Sequence, residues 1–344
     1  DVGRDLQADY VVEGSVRPMA GTIRVTVQVI ESTTGAHVWA EQFDRPLTDF
    51  FAIQDDVSLG IAAAVGDIVF REEYNRVAQS RSNDLTAWAL TSKADMGFSL
   101  ASTTEGEFMP LLANAREAVE LDPGYALAHA VLARPLAINA LFVVGSVDSR
   151  DSAEAKRHAQ TATRLAPDDP RVLAYSAIAL LWTGHPVEAL AVARKVTSIS
   201  PSYAEGLAYY GDILIHNGLS QEAVPYLQKA IRLTPNAPQL GFYQGCLGEA
   251  FMHHGDFEAA LGPLLESDRI SYRQNQIWVR YLAGTRLRLG DASTAKNLLQ
   301  RAHELQPDRP ISADAEVMAF YSTDSGGEHF LALWQDLQSL TAGD

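Results

Sequence analysis

The segment Ala204–Pro235 reads AEGLAYYGDILIHNGLSQEAVPYLQKAIRLTP, and its small residues decide the fold. Gly218 divides it, Ala223 follows five positions later, and Pro235 closes it. The same marks recur along the chain. Pro167, Pro201 and Pro235 stand 34 residues apart, and Pro307 lies 72 further on, close to two more periods. Gly184, Gly218, Gly255 and Gly290 form a second ladder, with Ala189, Ala223, Ala260 and Ala295 five residues behind each. A fixed period near 34 marks one helical hairpin repeated along a solenoid. Such arrays generally present binding surfaces.

Each unit reads as helix A, a turn, helix B and a break. Glycine suits the turn because a left-handed backbone costs it little. The following alanine lets helix B approach helix A closely, and proline ends the unit because it cannot continue a helix. With the glycine at position 15, Gly211, Gly248, Ala177 and Ala283 share the small position 8, and Ala230 and Ala302 share a second one in helix B. Pro123 lies 17 residues after Gly106, so a first hairpin covers Leu85–Leu121. Pro167 follows 44 residues later, which places a surface insertion in the A–B loop near Val143–Ser152. The fifth repeat carries Tyr272 for proline and Ser267 for alanine, and Gly218 and Gly255 are 37 residues apart, so altered packing is expected there. Ser312–Ser322 and Glu328–Leu340 read as a degenerate capping pair, with Trp334 and Leu337 covering the end of the stack. About six hairpins and this pair fill residues 85–341.

Residues 1–80 lack the period. Ile23, Val25, Val27 and Val29 alternate with Arg24, Thr26 and Gln28, the signature of a strand with one buried face. Tyr10–Arg17 and His37–Phe43 flank it as further strands, with turns at Met19–Thr22 and Ser32–Gly35. Phe50, Ile53, Val57, Ile61, Val65 and Ile68 then mark a helix running toward Gln79, capped by Thr48 or Asp49 and packed on the sheet. Ser80–Asp84 reads as a linker. The expected fold is therefore mostly α, an α-solenoid preceded by a partial α/β segment of three strands and one long helix. A three-stranded sheet has open edges, which allow self-association.

Three stretches are more specific. They are Ala8-Asp9-Tyr10-Val11-Val12-Glu13-Gly14-Ser15-Val16-Arg17, Thr34-Gly35-Ala36-His37-Val38-Trp39-Ala40-Glu41-Gln42-Phe43-Asp44-Arg45, and Phe51-Ala52-Ile53-Gln54-Asp55-Asp56-Val57. Together they resemble the second half of the TolB-like N-terminal domain of bacterial signalling proteins. In that family the domain follows a class III adenylate/guanylate cyclase domain or a CadC-type winged-helix DNA-binding domain, and tetratricopeptide repeats come after it. The resemblance implies a non-catalytic regulatory module, the C-terminal part of a cyclase or, alternatively, the sensor region of a winged-helix regulator. Catalytic aspartates of a cyclase would lie upstream of Asp1. The start at Asp1 rather than methionine points to an N-terminal truncation, which would remove an upstream signal or anchor from view.

The net charge of −16 speaks against general nucleic-acid binding and against docking on an anionic membrane. No apolar run approaches the roughly 18 residues of a membrane span, and no signal peptide is visible. A cytoplasmic location is expected. Cys246, the only cysteine, lies in the apolar helix Leu240–Phe251 and reads as a buried structural thiol. The sequence offers no P-loop, no Gly-x-Ser-x-Gly elbow, and no cysteine or carboxylate set at metal-ligand spacing from His253 and His254. Asp55-Asp56 is a solvated helix start. No catalytic, cofactor or metal residue is therefore assigned.

By resemblance to tetratricopeptide proteins, positions 2, 5, 9, 12 and 13 of helix A face a concave surface that takes a protein or peptide partner. They include Arg171, Ile178, Trp182, Glu205, Asp212, His216, Phe242, Glu249, His253, Ile277, Arg280 and Arg288. No Lys/Asn set matches a carboxylate clamp, so capture of a peptide C-terminus is not expected.

Overall fold

The computed structural model describes residues 10–19, 22–46, 87–100, 105–139, 150–235, 237–270, 276–305 and 327–341. The sheet and the helical array belong to separate compact units. The expected helix over Phe50–Gln79 and the capping segment Ser312–Ser322 lie outside the described residues, as does Tyr272.

Strands β1 (Tyr10–Met19), β2 (Thr22–Glu31) and β3 (His37–Pro46) form an antiparallel meander in the order β1-β2-β3. The alternation in β2 does what its period predicts. Ile23, Val25, Val27 and Val29 are buried while their neighbours are partly exposed. Val25, Val27 and Phe43 make a small core with Trp39 against it. In register, Val12 faces Val29 and Val16 faces Val25, yet both β1 valines stay exposed. On the other face Arg24 grips Asp44 by two hydrogen bonds of 2.7 Å.

Thirteen helices are present among the described residues. They pair as α1 (Ala87–Leu100) with α2 (Glu105–Leu121), α3 (Ala126–Ile138) with α4 (Arg150–Leu165), and α5 (Pro170–Trp182) with α6 (Pro186–Ile199). Then follow α7 (Ala204–His216) with α8 (Ser220–Leu233), α9 (Leu240–His254) with α10 (Phe257–Ile270), α11 (Gln276–Arg288) with α12 (Ala292–Leu305), and α13 (Gly327–Thr341). Gly184, Gly218, Gly255 and Gly290 all adopt positive φ, between 75° and 85°, which an L side chain resists. Ala189, Ala223, Ala260 and Ala295 have no exposed surface, so the hairpins close where the ladder places the small residues. A Cβ at Gly211 would meet Leu227 at 2.5 Å, and one at Gly248 would meet Leu264 at 2.4 Å. Asp169 caps α5 by accepting from the amides of Arg171 and Val172, with Pro170 in the first turn.

Ser267, which stands in the fifth repeat where alanine is expected, has a use for its hydroxyl. Its buried hydroxyl donates to the Gly241 carbonyl at 2.7 Å, tying α10 to the first turn of α9. Of the insertion near Val143–Ser152, residues 150–152 form the first turn of α4, and the rest lies outside the described residues. Leu333, Trp334 and Leu337 of α13 are buried.

Candidate functional site

The first helices of successive hairpins, α1, α3, α5, α7, α9 and α11, lie side by side. This brings polar side chains far apart in sequence into two buried clusters.

The first cluster is built on Arg134. It stands in the apolar helix α3, ALAHAVLARPLAI, with 3% of its surface exposed. Its guanidinium reaches Asp95 of α1 and Glu205 of α7, each at 3.2 Å. It also lies 4.4 Å above the ring of Tyr175. Arg171 bonds the second Asp95 oxygen. Glu205 accepts from the hydroxyls of Tyr175 and Tyr203 at 3.1 Å and of Tyr209 at 2.9 Å. Burial opposes the Arg134 charge, but the oxygens of Tyr209, Tyr175, Asp95 and Glu205 overcome it and hold the guanidinium's pKa well above its ordinary value. Burial likewise pushes the three phenols up, leaving them neutral donors. Buried charges survive only when paired and hydrogen-bonded, and here every charged group is both.

The second cluster lies between α5, α7, α9 and α11. The Nδ1 of His216 stands 3.2 Å from the Asp212 carboxylate and 2.9 Å from the Asp212 carbonyl. One turn position along the array, the Nε2 of His253 stands 3.7 Å from Glu249. The indole of Trp182 donates to Asp212, and Tyr281 donates to Glu249 at 3.1 Å. Burial works against the His216 charge, yet Asp212 wins and raises its pKa to about 9. Burial pushes the Cys246 thiol well up, and Asp212 and Glu249 add to it. The donor atoms of Asp212, Cys246 and Glu249 all lie within 4.8 Å of one another.

An aromatic row joins the clusters. Tyr209 meets Tyr175, Trp182 and Phe242 at centroid distances of 6.4, 6.4 and 5.9 Å, and Phe242 continues to Trp278 at 6.2 Å. Beside it, Met252, His253, His254, Gly255, Phe257, Arg288 and Leu333 line a cavity of about 420 Å³.

Of the residues singled out from sequence, Arg171 and Glu205 enter the first cluster, and Trp182, Asp212, His216, Glu249 and His253 the second. Phe242 sits in the aromatic row. Arg171, Trp182, Glu205, Phe242 and His253 are partly buried, whereas Asp212, His216, Glu249 and Arg280 are buried. Arg288 is exposed and bonds Asp336 of α13 at 2.9 Å. Cys246, Glu249 and His253 share one face of α9 at steps of three and four residues, with Glu249 3.7 Å from His253. Asp95, Arg134, Tyr175 and Tyr209 were missed. An arginine inside an otherwise apolar helix was the available signal for Arg134.

Residues 205–237 match the family model of the tetratricopeptide repeat. The matched stretch is the hairpin of α7 and α8. A curated protein of Rhizobium meliloti (strain 1021), "Putative adenylate cyclase 3", is 39% identical over 134 residues, or 38% of this chain. The match spans 22% of that relative's own length. Among solved structures, a tetratricopeptide repeat protein from Parabacteroides merdae ATCC 43184 is 10% identical, with a TM-score of 0.48 over 84% of this chain and 100% of its own. PilF of Pseudomonas aeruginosa is 15% identical, with a TM-score of 0.44 over 74% and 98%. No described helix is long and apolar enough to cross a membrane.

Proposed function

We propose that this chain is the non-catalytic, cytoplasmic interaction arm of a bacterial signalling protein whose output domain is a nucleotide cyclase. The observation that carries the reading is the 39% identity over 134 residues to "Putative adenylate cyclase 3", in a chain whose residues 205–237 match the tetratricopeptide repeat. The same relative favours a cyclase over a winged-helix regulator. In this reading the TolB-like segment couples the repeats to the output domain. A protein or peptide partner lies along the first-helix layer, where Arg171, Trp182, Glu205, Phe242 and Arg288 keep solvent-exposed surface. Aromatic and arginine side chains of this kind commonly dominate binding energy. Asp212, His216, Glu249 and Arg280 hold that layer in place from beneath.

Two measurements test this. The coding DNA upstream of Asp1 is expected to encode a class III cyclase domain; a basic winged helix there overturns the cyclase reading. In the longer protein, Trp182→Ala with Phe242→Ala is expected to alter cyclic-nucleotide output while the far-ultraviolet circular dichroism stays unchanged. Output that remains the same in this variant, and also after removal of residues 87–341, rules out a regulatory role for the repeats.

A further inference from the structure

We propose that Asp212, Cys246 and Glu249 form a structural site for a divalent transition metal, with Zn²⁺ as the ion that fits the donors best. The proposal stands apart from the cyclase reading and concerns what locks two repeats together.

The repeat register assembles the site. Asp212 and Glu249 hold the same position in consecutive hairpins, six residues before Gly218 and Gly255. Cys246 lies one turn before Glu249, so α9 presents a thiol and a carboxylate to the carboxylate of α7. All three residues are at most 3% exposed, and their donor atoms lie within 4.8 Å of one another. In tetrahedral zinc sites the metal–ligand distances of about 2.0–2.3 Å put ligand atoms roughly 3.5 Å apart. A contraction of about an ångström, by rotation of the acidic side chains, would meet that geometry.

Two further observations point to a ligand. First, the wholly buried Cys246 sulfur lies beside two carboxylates, and the hydrogen bond it has is to its own backbone. Second, each carboxylate already has the outer partners that orient metal ligands. Trp182 and His216 bond Asp212, and Tyr281 and His253 approach Glu249. His253 also lines the cavity of about 420 Å³, so the imidazole that approaches Glu249 touches open space as well. A thiolate with two carboxylates suits a borderline-soft ion and disfavours Mg²⁺ or Ca²⁺. On binding, the metal replaces the thiol proton, which leaves to solvent.

Such a clip would join α7 to α9 across the junction where the repeat spacing stretches to 37 residues. That is where a hairpin array most needs a tie, since each repeat touches only its neighbours.

The test uses the 344-residue chain stripped with a chelator and titrated with Co²⁺. One equivalent is expected to bind with a thiolate-to-cobalt charge-transfer band, and one equivalent of Zn²⁺ is expected to abolish it. Cys246→Ser should lose the band, and Glu249→Gln should weaken binding about tenfold or more. No band at saturating Co²⁺ overturns the proposal, and this is read on the unmodified protein, so it does not depend on a variant folding. Binding without the band would place the ion on the His253 and His254 imidazoles alone, and a band that survives Cys246→Ser would place the thiolate elsewhere. Either result also overturns it.

Discussion

The two buried clusters solve one problem with different chemistry. Around Arg134, a guanidinium that never loses its proton bridges Asp95 and Glu205 from three helices. Around Asp212 and Glu249, imidazoles from the same helices stand one turn away, at i,i+4. The first arrangement is long-range and permanent, spanning α1 to α7. In the second the charge pairs are local, within one helix, and adjustable, since histidine can shed its charge. Permanent charge ties distant repeats; adjustable charge leaves room for a ligand or a change of state. The early half of the array is thus tied by arginine and the later half by histidine.

The largest effect should come from Arg134→Ala. It removes the cation shared by Asp95 and Glu205 and leaves them to Arg171 and the tyrosines; breaking a buried pair typically costs about 3–5 kcal/mol. Denaturant unfolding should show a lower midpoint. A loss below about 1 kcal/mol would mean that Arg171 and the tyrosines suffice, and the distinction between the halves would fall. Asp212→Asn should cost less, about 2 kcal/mol in the metal-free chain. The amide still accepts from Trp182, and His216 without its carboxylate can become neutral near pH 7. If the two substitutions cost the same, imidazole is no more adjustable here than guanidinium. Gly245→Ala gives a steric reference beside the second cluster. Its Cβ would stand 2.4 Å from the Trp278 ring, which cannot fold away as a leucine can. Overpacking less the gain in helix propensity leaves about 1–2 kcal/mol of destabilisation.

The hairpins were legible because their signals are local and steric. A glycine at a positive φ and an alanine at a helix crossing are dictated within a few residues, and the period repeats them. The β2 alternation was legible for the same reason. The clusters were only half legible. Asp212, Glu249 and His216 follow from repeat positions, but Asp95 pairs with Arg171 across 76 residues of sequence. No local rule names such a partner. The first two hairpins carry few of the proline and glycine marks, so Asp95 and Arg134 had no position to be read from. Cys246 was read as a buried thiol, and it is buried; what the period could not show was the carboxylate that α7 brings to it.

The smallest predicted effect isolates what a carboxylate partner does. His158 and His216 are both largely buried, yet they shift in opposite directions. Burial lowers the His158 pKa to about 4, and His129, Arg157 and Arg116 add to the effect. Glu154, a nearby carboxylate, lies 4.0 Å away and is bonded to Arg116 at 3.1 Å. The Nδ1 atoms of His158 and His129 lie 2.7 Å apart, a bond that requires at least one neutral ring. In the unfolded chain His158 would titrate near its ordinary value of 6.5. Between about 6.5 and 4 the unfolded state therefore binds the extra proton, and stability falls as pH falls through that window. Because the ring is only partly shielded from water, solvent screening reduces the effect to about 1 kcal/mol. His158→Gln should flatten the stability profile across this window while leaving it unchanged above pH 7. A slope that persists in the variant would assign the loss to other groups, and a slope of opposite sign would mean that Glu154, not burial, governs His158.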